Sequence, residues 1–159
     1  PRSGEVRWRR RLDERYRRLA WGELFGSEVP ELIVSSLDPI KTGHYRIHVL
    51  DGASGGELRL LAGAGNSRHV AACRNREGRR LLAVLSSVHP YELELYDMSK
   101  PKVRHRVYRA QLGWEAEPTR KTRVQLRRVD LDHKEGDELL AWTSHGELSV
   151  LELPQLRGR

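Results

Sequence analysis

The sequence has almost no cysteine and no long apolar run, and each lack excludes a class of protein. Its only cysteine among 159 residues is Cys73, so it can form neither an internal disulfide nor a cysteine-based metal cluster. No segment approaches the roughly 18 consecutive apolar residues that a membrane-spanning helix needs. We therefore expect neither a disulfide scaffold nor a membrane span.

Positive charge is abundant instead. The chain carries 29 lysine and arginine residues against 22 acidic ones, a formal net charge of +7. Such an excess attracts acidic partners, namely nucleic acid, an anionic membrane surface or an acidic protein. The basic residues concentrate at 7–18, 74–80, 100–109 and 120–128, but acidic residues interrupt nearly every stretch. The favoured interpretation is therefore a set of arginine-rich, solvated strand faces.

Hydrophobic periodicity indicates β-strands along the chain. Tyr45–Leu50 and Tyr91–Tyr96 alternate apolar and polar residues, which is typical of a half-buried strand. Short continuous apolar runs such as Leu81–Leu85 fit strands that are buried on both faces. Many such segments, separated by turn signals, predict an all-β fold of the sandwich, barrel or propeller type.

The order of these segments repeats. A buried run followed by alternating strands begins at Leu32, Leu81 and Leu139, so the starts are 49 and 58 residues apart. Four-stranded propeller blades recur at roughly 40–50 residues. We therefore predict a partial β-propeller of about three four-stranded antiparallel blades. Its parts are a leading strand or short basic helix at 1–17, repeats at 18–66 and 67–112, an inserted loop at 113–122, and an incomplete third repeat at 123–159.

Two segments at the starts of repeats superimpose. Residues 19–34 and 129–141 each pass from a strand through a loop into an apolar strand, and the second loop contains Asp130, Asp132 and Glu138. Both segments resemble the FG-GAP repeat of integrin α chains and bacterial propellers, in which the loop D-x-D-G-D-G-x-x-D/E precedes an apolar strand. The resemblance implies a propeller fold. It also implies a calcium site at these three carboxylates, because the loop oxygens of that family hold Ca²⁺.

Both loops depart from the family pattern. Lys134 stands where a third carboxylate is expected and brings a positive charge into the site. In the first loop Glu23 and Glu31 match, but Phe25 and Ser27 occupy the intervening ligand positions. Calcium prefers six to eight oxygen ligands. We therefore favour loops that have kept their geometry without the metal and expect no cofactor, with calcium as the alternative.

Aromatic and basic residues supply the candidate contact residues. Trp114 lies in the inserted loop, where an exposed aromatic ring is a suitable anchor for a partner. Tyr108 among arginines resembles a weak version of the stacking platforms that bind single-stranded nucleic acid. Trp21 and Trp142 lie beside the repeat loops and are expected to pack between blades. The predicted partner-binding residues are Trp114, Arg104, Arg106, Tyr108 and Arg109.

The sequence contains no nucleophile elbow, P-loop or dinucleotide-binding motif. We therefore predict a non-enzymatic protein-interaction or scaffolding module that presents a basic surface to a protein partner. One alternative is an electrostatic binder of nucleic acid or another anionic polymer. The other is part of a ligand-binding or enzymatic propeller whose site lies in missing blades.

The predicted number of blades raises the question of ring closure. Propellers typically use four to eight blades, so about three do not close a ring. Open sheet edges are a known aggregation hazard. We therefore expect a fragment of a larger propeller, an oligomer that closes the ring, or a partner subunit that covers the open edges.

Overall fold

Every regular element that the structure describes is a β-strand, so the predicted all-β class is confirmed. The structure is a computed structural model. It describes residues 6–12, 15–38, 40–41, 43–64, 68–86, 91–99, 106–114 and 123–155. Among these residues no helix is long and apolar enough to cross a membrane.

Eleven strands in the described residues form three antiparallel sheets of four, four and three strands. The first sheet consists of β1 (Arg15–Gly22), β2 (Glu31–Leu37), β3 (His44–Leu50) and β4 (Glu57–Ala64). The second consists of β5 (Arg68–Arg74), β6 (Arg80–Ser86), β7 (Glu92–Asp97) and β8 (Arg106–Gln111). The third consists of β9 (Val124–Val129), β10 (Glu138–Thr143) and β11 (Leu148–Glu152). Within each sheet the strands pair in chain order.

The first two sheets have four strands each, and the described part of the third sheet has three, which fits a third repeat predicted to be incomplete. One detail differs from the sequence-based expectation. At the N-terminal end, residues 6–12 have no regular structure, and β1 begins at Arg15. Residues 6–12 therefore form neither the leading strand nor the short basic helix.

Side chains that bind the main chain form the turns within the sheets. In the β3–β4 turn, Asp51 Oδ1 accepts hydrogen bonds from the main-chain N–H groups of Ala53 (3.1 Å) and Ser54 (2.6 Å). In the β5–β6 turn, Asn75 Oδ1 accepts the N–H groups of Glu77 and Arg79, at 3.1 and 2.9 Å. These side-chain bonds satisfy main-chain donors that leave the strand ladder, which is why Asp and Asn favour turns.

The three sheets stack with the second sheet in the middle. β1 contacts β5, and β5 contacts β9, so the first strands of the sheets lie side by side. The approach of β1 to β5 is close, because a Cβ placed on Gly22 would lie only 2.4 Å from the Cβ of Ala72. Glycine at position 22 therefore allows the first two sheets to pack at this distance.

The second sheet contributes alternate side chains to two separate hydrophobic cores. Val70 and Leu82 face the first sheet and pack in one core with Ile33. Leu81 faces the opposite way and packs with Leu139 of the third sheet. Full burial of one such side chain stabilises the fold by roughly 1.5–3 kcal/mol. Burial of both faces explains why β6 reads as a continuous apolar run.

The same arrangement corrects the expectation for Tyr91–Tyr96, which alternates like a half-buried strand. In β7 both faces are buried, and the polar positions include Glu94 at 5% and Tyr96 at 8% exposure. The cause is the first sheet, which covers the face that the pattern assigns to solvent. That face therefore contains a polar network around Glu94 and Tyr96.

Candidate functional site

The acidic loop between β9 and β10 brings together the three residues predicted to bind calcium. Carboxylate oxygens of Asp130, Asp132 and Glu138 all lie within 4.8 Å of one another. Glu138 is buried at the start of β10 and accepts the Leu131 N–H at 2.9 Å. The Lys134 ammonium lies 2.9 Å from Asp132 Oδ2 and, with its own N–H, lowers the pKa of that carboxyl group. A lysine therefore supplies the positive charge that a metal would supply here.

The loop between β1 and β2 has the same geometry. Glu31 begins β2 and accepts the Leu24 N–H at 2.7 Å, as Glu138 does with Leu131 seven residues before it. Ser27 Oγ also donates a hydrogen bond to Glu31. Glu31 pairs with Gly22 across the ladder, and Glu138 pairs with Val129 in the corresponding way. The two loops are therefore structurally equivalent, and this equivalence relates β1, β2 and β3 to β9, β10 and β11, with Glu31 corresponding to Glu138.

Hydrogen bonds and ion pairs between these loops connect the three sheets at one end. Arg74, the last residue of β5, donates its N–H to Asp137 Oδ2 at 2.5 Å and accepts the Asp137 N–H at 2.8 Å. Its guanidinium group forms an ion pair with Glu23 of the first loop. A Cβ on Gly136, at φ +100°, would lie 2.8 Å from the main-chain nitrogen of Arg76. The loops therefore act as structural clamps between neighbouring sheets.

A polar network fills the space between the first and second sheets. The buried carboxylate of Glu94 accepts hydrogen bonds from Arg106 at 2.6 Å and from the Tyr96 hydroxyl at 3.0 Å. The Tyr96 hydroxyl lies 3.5 Å from that of Tyr45, whose ring lies 5.0 Å from the Arg68 guanidinium carbon. Burial, followed by the Tyr45 hydrogen bond, raises the pKa of Tyr96. The phenol is therefore a neutral hydrogen-bonding group that links the two sheets.

The basic residues predicted to bind a partner lie largely in β8, at the edge of this network. Arg106 contacts Glu94, and Arg109 lies 2.6 Å from Glu92, which raises the pKa of Arg109. Tyr108 is 37% exposed. Arg104 lies outside the described residues. Two of the predicted contact arginines thus already form ion pairs with glutamates of β7.

Trp114 does not have the exposed ring that the sequence predicts. It is 8% exposed and packs in the core between the second and third sheets. Its ring meets that of Tyr91 edge-on at 5.2 Å, and its Nε1 donates to Ser149 Oγ at 2.9 Å. The expectation of exposure is therefore wrong, because a residue 35 positions later provides a partner for the indole N–H.

A basic groove runs along the adjacent first strands. It is lined by Arg18 of β1, His69 of β5, and Arg127 and Arg128 of β9, among other residues. His69 is 6% exposed, and its Nε2 has no hydrogen-bond partner among the described residues. Burial and the charge of Arg18 lower the pKa of His69 to about 4. The groove therefore combines guanidinium groups with an imidazole that is neutral at neutral pH.

The face of the third sheet that points away from the second sheet is apolar and exposed. Leu139, Ala141 and Leu151 face the second sheet, so strand alternation turns their neighbours outward. Leu148 is 64% exposed and Val150 is 52% exposed. We call this surface the outer face of the third sheet; its apolar residues are Leu140, Trp142, Leu148 and Val150.

The first sheet also has an outer face on the side away from the second sheet. Its apolar residues are Leu19, Trp21, Leu32 and Leu60, together with Val34 and Leu50, which are only 3% and 1% exposed. Leu19 is 64% exposed and Trp21 is 77% exposed. The expectation that Trp21 packs between repeats is therefore wrong within the described residues. Residues 6–12 cover the far part of this face: Trp8 Nε1 donates to the Gly52 carbonyl at 3.1 Å, and Arg10 lies 3.5 Å from Glu57.

Comparison of the chain with protein-family models, with curated proteins and with solved structures gave no match. Functional conclusions therefore depend on the geometry alone.

The sequence indicated the acidic loops and the β8 arginines. It did not indicate the two outer faces, because their exposure depends on which sheet packs against which. One signal could have identified the outer face of the third sheet. Leu148 and Val150 share one face of a strand that was predicted to lie in the last repeat.

Proposed function

We propose that this chain is a non-enzymatic protein-interaction or scaffolding module whose two outer sheet faces bind protein. One observation carries the proposal: Leu19, Trp21, Leu148 and Val150 are 52–77% exposed on sheet faces, whereas the facing sheets inside the molecule bury the same kinds of residue. Soluble proteins rarely leave contiguous apolar surface of this kind open unless it binds something. The basic groove beside these faces, in a chain of net charge +7, adds a rim that favours an acidic protein surface.

The proposal includes a partial propeller as the architecture. Three features support it: the sheets stack in chain order, their first strands lie side by side, and equivalent loops precede β2 and β10. The arrangement is similar to the FG-GAP type, in which each blade begins with such a loop. In this interpretation the two outer faces are the blade faces at the open ends of the ring.

Site-specific photo-cross-linking tests the proposal. A photoreactive amino acid is placed at Leu148, at Leu19 or, as a matched control, at Ile40, which is 81% exposed but lies outside both faces. After irradiation in an extract of the source cells, adducts are identified by mass spectrometry. We expect one defined protein adduct at position 148 or 19 and none at 40. Absence of an adduct at both faces, or equal labelling at all three positions, contradicts the proposal.

A second candidate function is electrostatic binding of nucleic acid or another anionic polymer, and the basic groove favours it. Arg18 of β1 and Arg127 and Arg128 of β9 line this one groove. If an anionic polymer binds there, its association constant should fall steeply as the salt concentration rises. Each phosphate contacted should lower that constant by roughly tenfold for a tenfold rise in salt. Fluorescence titration of single-stranded DNA against wild type and Arg127→Ser tests this. A salt-independent affinity, or one that the substitution leaves unchanged, contradicts it.

A further inference from the structure

We propose that the protein partner is a second copy of this chain, with the outer face of its first sheet packed on the outer face of the third sheet. The contact is head-to-tail, since it joins two different faces. This inference rests on the proposed function, because it names the partner of the same surfaces. It follows from the equivalence of the first and third sheets.

The outer face of the third sheet is equivalent to a face that is fully buried in the first sheet. Since Glu31 corresponds to Glu138, Val49 of β3 corresponds to Val150 of β11, and Ile47 corresponds to Leu148. Val49 and Ile47 are both 0% exposed, because the second sheet covers them. At the corresponding sites Val150 is 52% and Leu148 64% exposed. The third sheet therefore has a face of the kind that packs on a neighbouring sheet, and no sheet of the described residues covers it.

The outer face of the first sheet shows the complementary relation. Leu19 of β1 corresponds to Leu126 of β9, and Leu32 of β2 corresponds to Leu139 of β10. In the third sheet these positions are 7% and 0% exposed because they pack on the second sheet. In the first sheet Leu19 is 64% and Trp21 77% exposed on β1, whereas Val34 and Leu50 on the same face are buried within the chain. The first sheet thus presents the opposite kind of sheet-packing face, open along β1.

The internal contacts determine which face meets which. The first sheet packs one face on the second, and the second packs its other face on the third. If the same stacking step is applied once more, the outer face of the third sheet meets the outer face of a first sheet. A two-fold axis makes this contact twice, so a pair of chains closes and leaves neither face open.

The exposed apolar area of the two outer faces is sufficient for a dimer that forms two such contacts. It is small for a dimer that forms only one. An aliphatic side chain presents on the order of 100 Å², and a tryptophan about 200 Å². At the exposures of Leu19, Trp21, Leu148 and Val150, one contact covers roughly 300 Å² of apolar surface. Interfaces are about 60% apolar, so two contacts bury on the order of 1,000 Å². Specific interfaces begin at about this size.

Light scattering coupled to size-exclusion chromatography measures the solution molar mass. We expect the chain of 18.3 kDa to elute at twice that mass. Leu148→Glu and Leu19→Glu should each shift it to a monomer, because a buried carboxylate opposes either contact. The control Ile40→Glu, outside both faces, should remain a dimer. Circular dichroism shows whether each variant is folded, and Val150→Glu replaces Leu148→Glu if that variant is not.

A mixture of the two monomeric variants distinguishes head-to-tail pairing from pairing of identical faces. In the mixture, the intact third sheet of Leu19→Glu meets the intact first sheet of Leu148→Glu, so a heterodimer with one contact should form at raised concentration. Pairing of identical faces predicts instead that one variant remains a dimer by itself. That result, or a wild-type chain that is monomeric up to its solubility limit, overturns the proposal. If the chain is monomeric but position 148 or 19 still cross-links to a different protein, the proposed function stands and only this inference fails.

Discussion

A buried histidine in the groove predicts that the protein loses stability in weak acid. His69 lies in β5, is 6% exposed and has no hydrogen-bond partner at Nε2 among the described residues. Desolvation first, and then the charge of Arg18, lower its pKa from 6.5 to about 4. The folded protein therefore keeps the imidazole neutral over a pH range in which the unfolded chain protonates it.

The sign and size of the effect follow from proton linkage. Above pH 6.5 the imidazole is neutral in both states and contributes no pH dependence. Between pH 6.5 and about 4 only the unfolded chain binds the proton, so the free energy of unfolding falls as the pH falls. At about 1.4 kcal/mol per pH unit, the loss reaches on the order of 3 kcal/mol near pH 4 and then stays constant.

Urea unfolding of wild type and His69→Gln at several pH values measures this loss. Other groups also titrate in acid, so the relevant quantity is the difference between the two free energies of unfolding. We expect that difference to change by about 3 kcal/mol in favour of the variant as the pH falls from neutral to about 4. His133→Gln is the control, because that side chain is 87% exposed, and its profile should follow the wild type. Parallel profiles for wild type and His69→Gln would refute the argument.

Three further predictions concern the core, the polar network and the acidic loop. Trp114→Phe removes the hydrogen bond to Ser149 and should lower the free energy of unfolding in urea by about 1 kcal/mol. Trp114→Ala should lower it by roughly 3–5 kcal/mol, and equal losses for the two variants would place the ring outside the core. Arg106→Leu leaves the buried Glu94 without its cation and should cost about 1–3 kcal/mol, whereas a neutral result would mean that water replaces the guanidinium group. Calcium should leave the melting temperature unchanged, because the ammonium group of Lys134 already pairs with Asp132 in the loop. A rise in Tm that Glu138→Gln abolishes would instead support the calcium interpretation.

The strands and the repeat of the loops could be predicted from the sequence because both depend on local pattern. Alternation and turn residues such as Asp51 mark a strand wherever it packs. The correspondence of Glu31 and Glu138 was visible because each carboxylate binds a main-chain N–H only seven residues away. Local interactions of this kind leave a signature in the sequence.

The burial of individual residues could not be predicted, because it depends on distant parts of the chain. Trp114 is buried through Tyr91 and Ser149, and no local pattern links these three residues. Glu94 alternates like a solvent-facing residue, but the first sheet covers it and supplies Tyr45 to the same network. The exposed outer faces were missed for the same physical reason.

The most direct test of the account measures whether the outer face of the third sheet becomes covered as the protein concentration rises. Cys73 is buried, and burial raises its thiol pKa to about 12, so a cysteine introduced at position 148 can be labelled selectively. We expect alkylation of Leu148→Cys to slow markedly in concentrated solution, while Ile40→Cys reacts at an unchanged rate. If Leu148→Cys reacts equally fast in dilute and concentrated solution, no second copy covers this face and the central claim is contradicted.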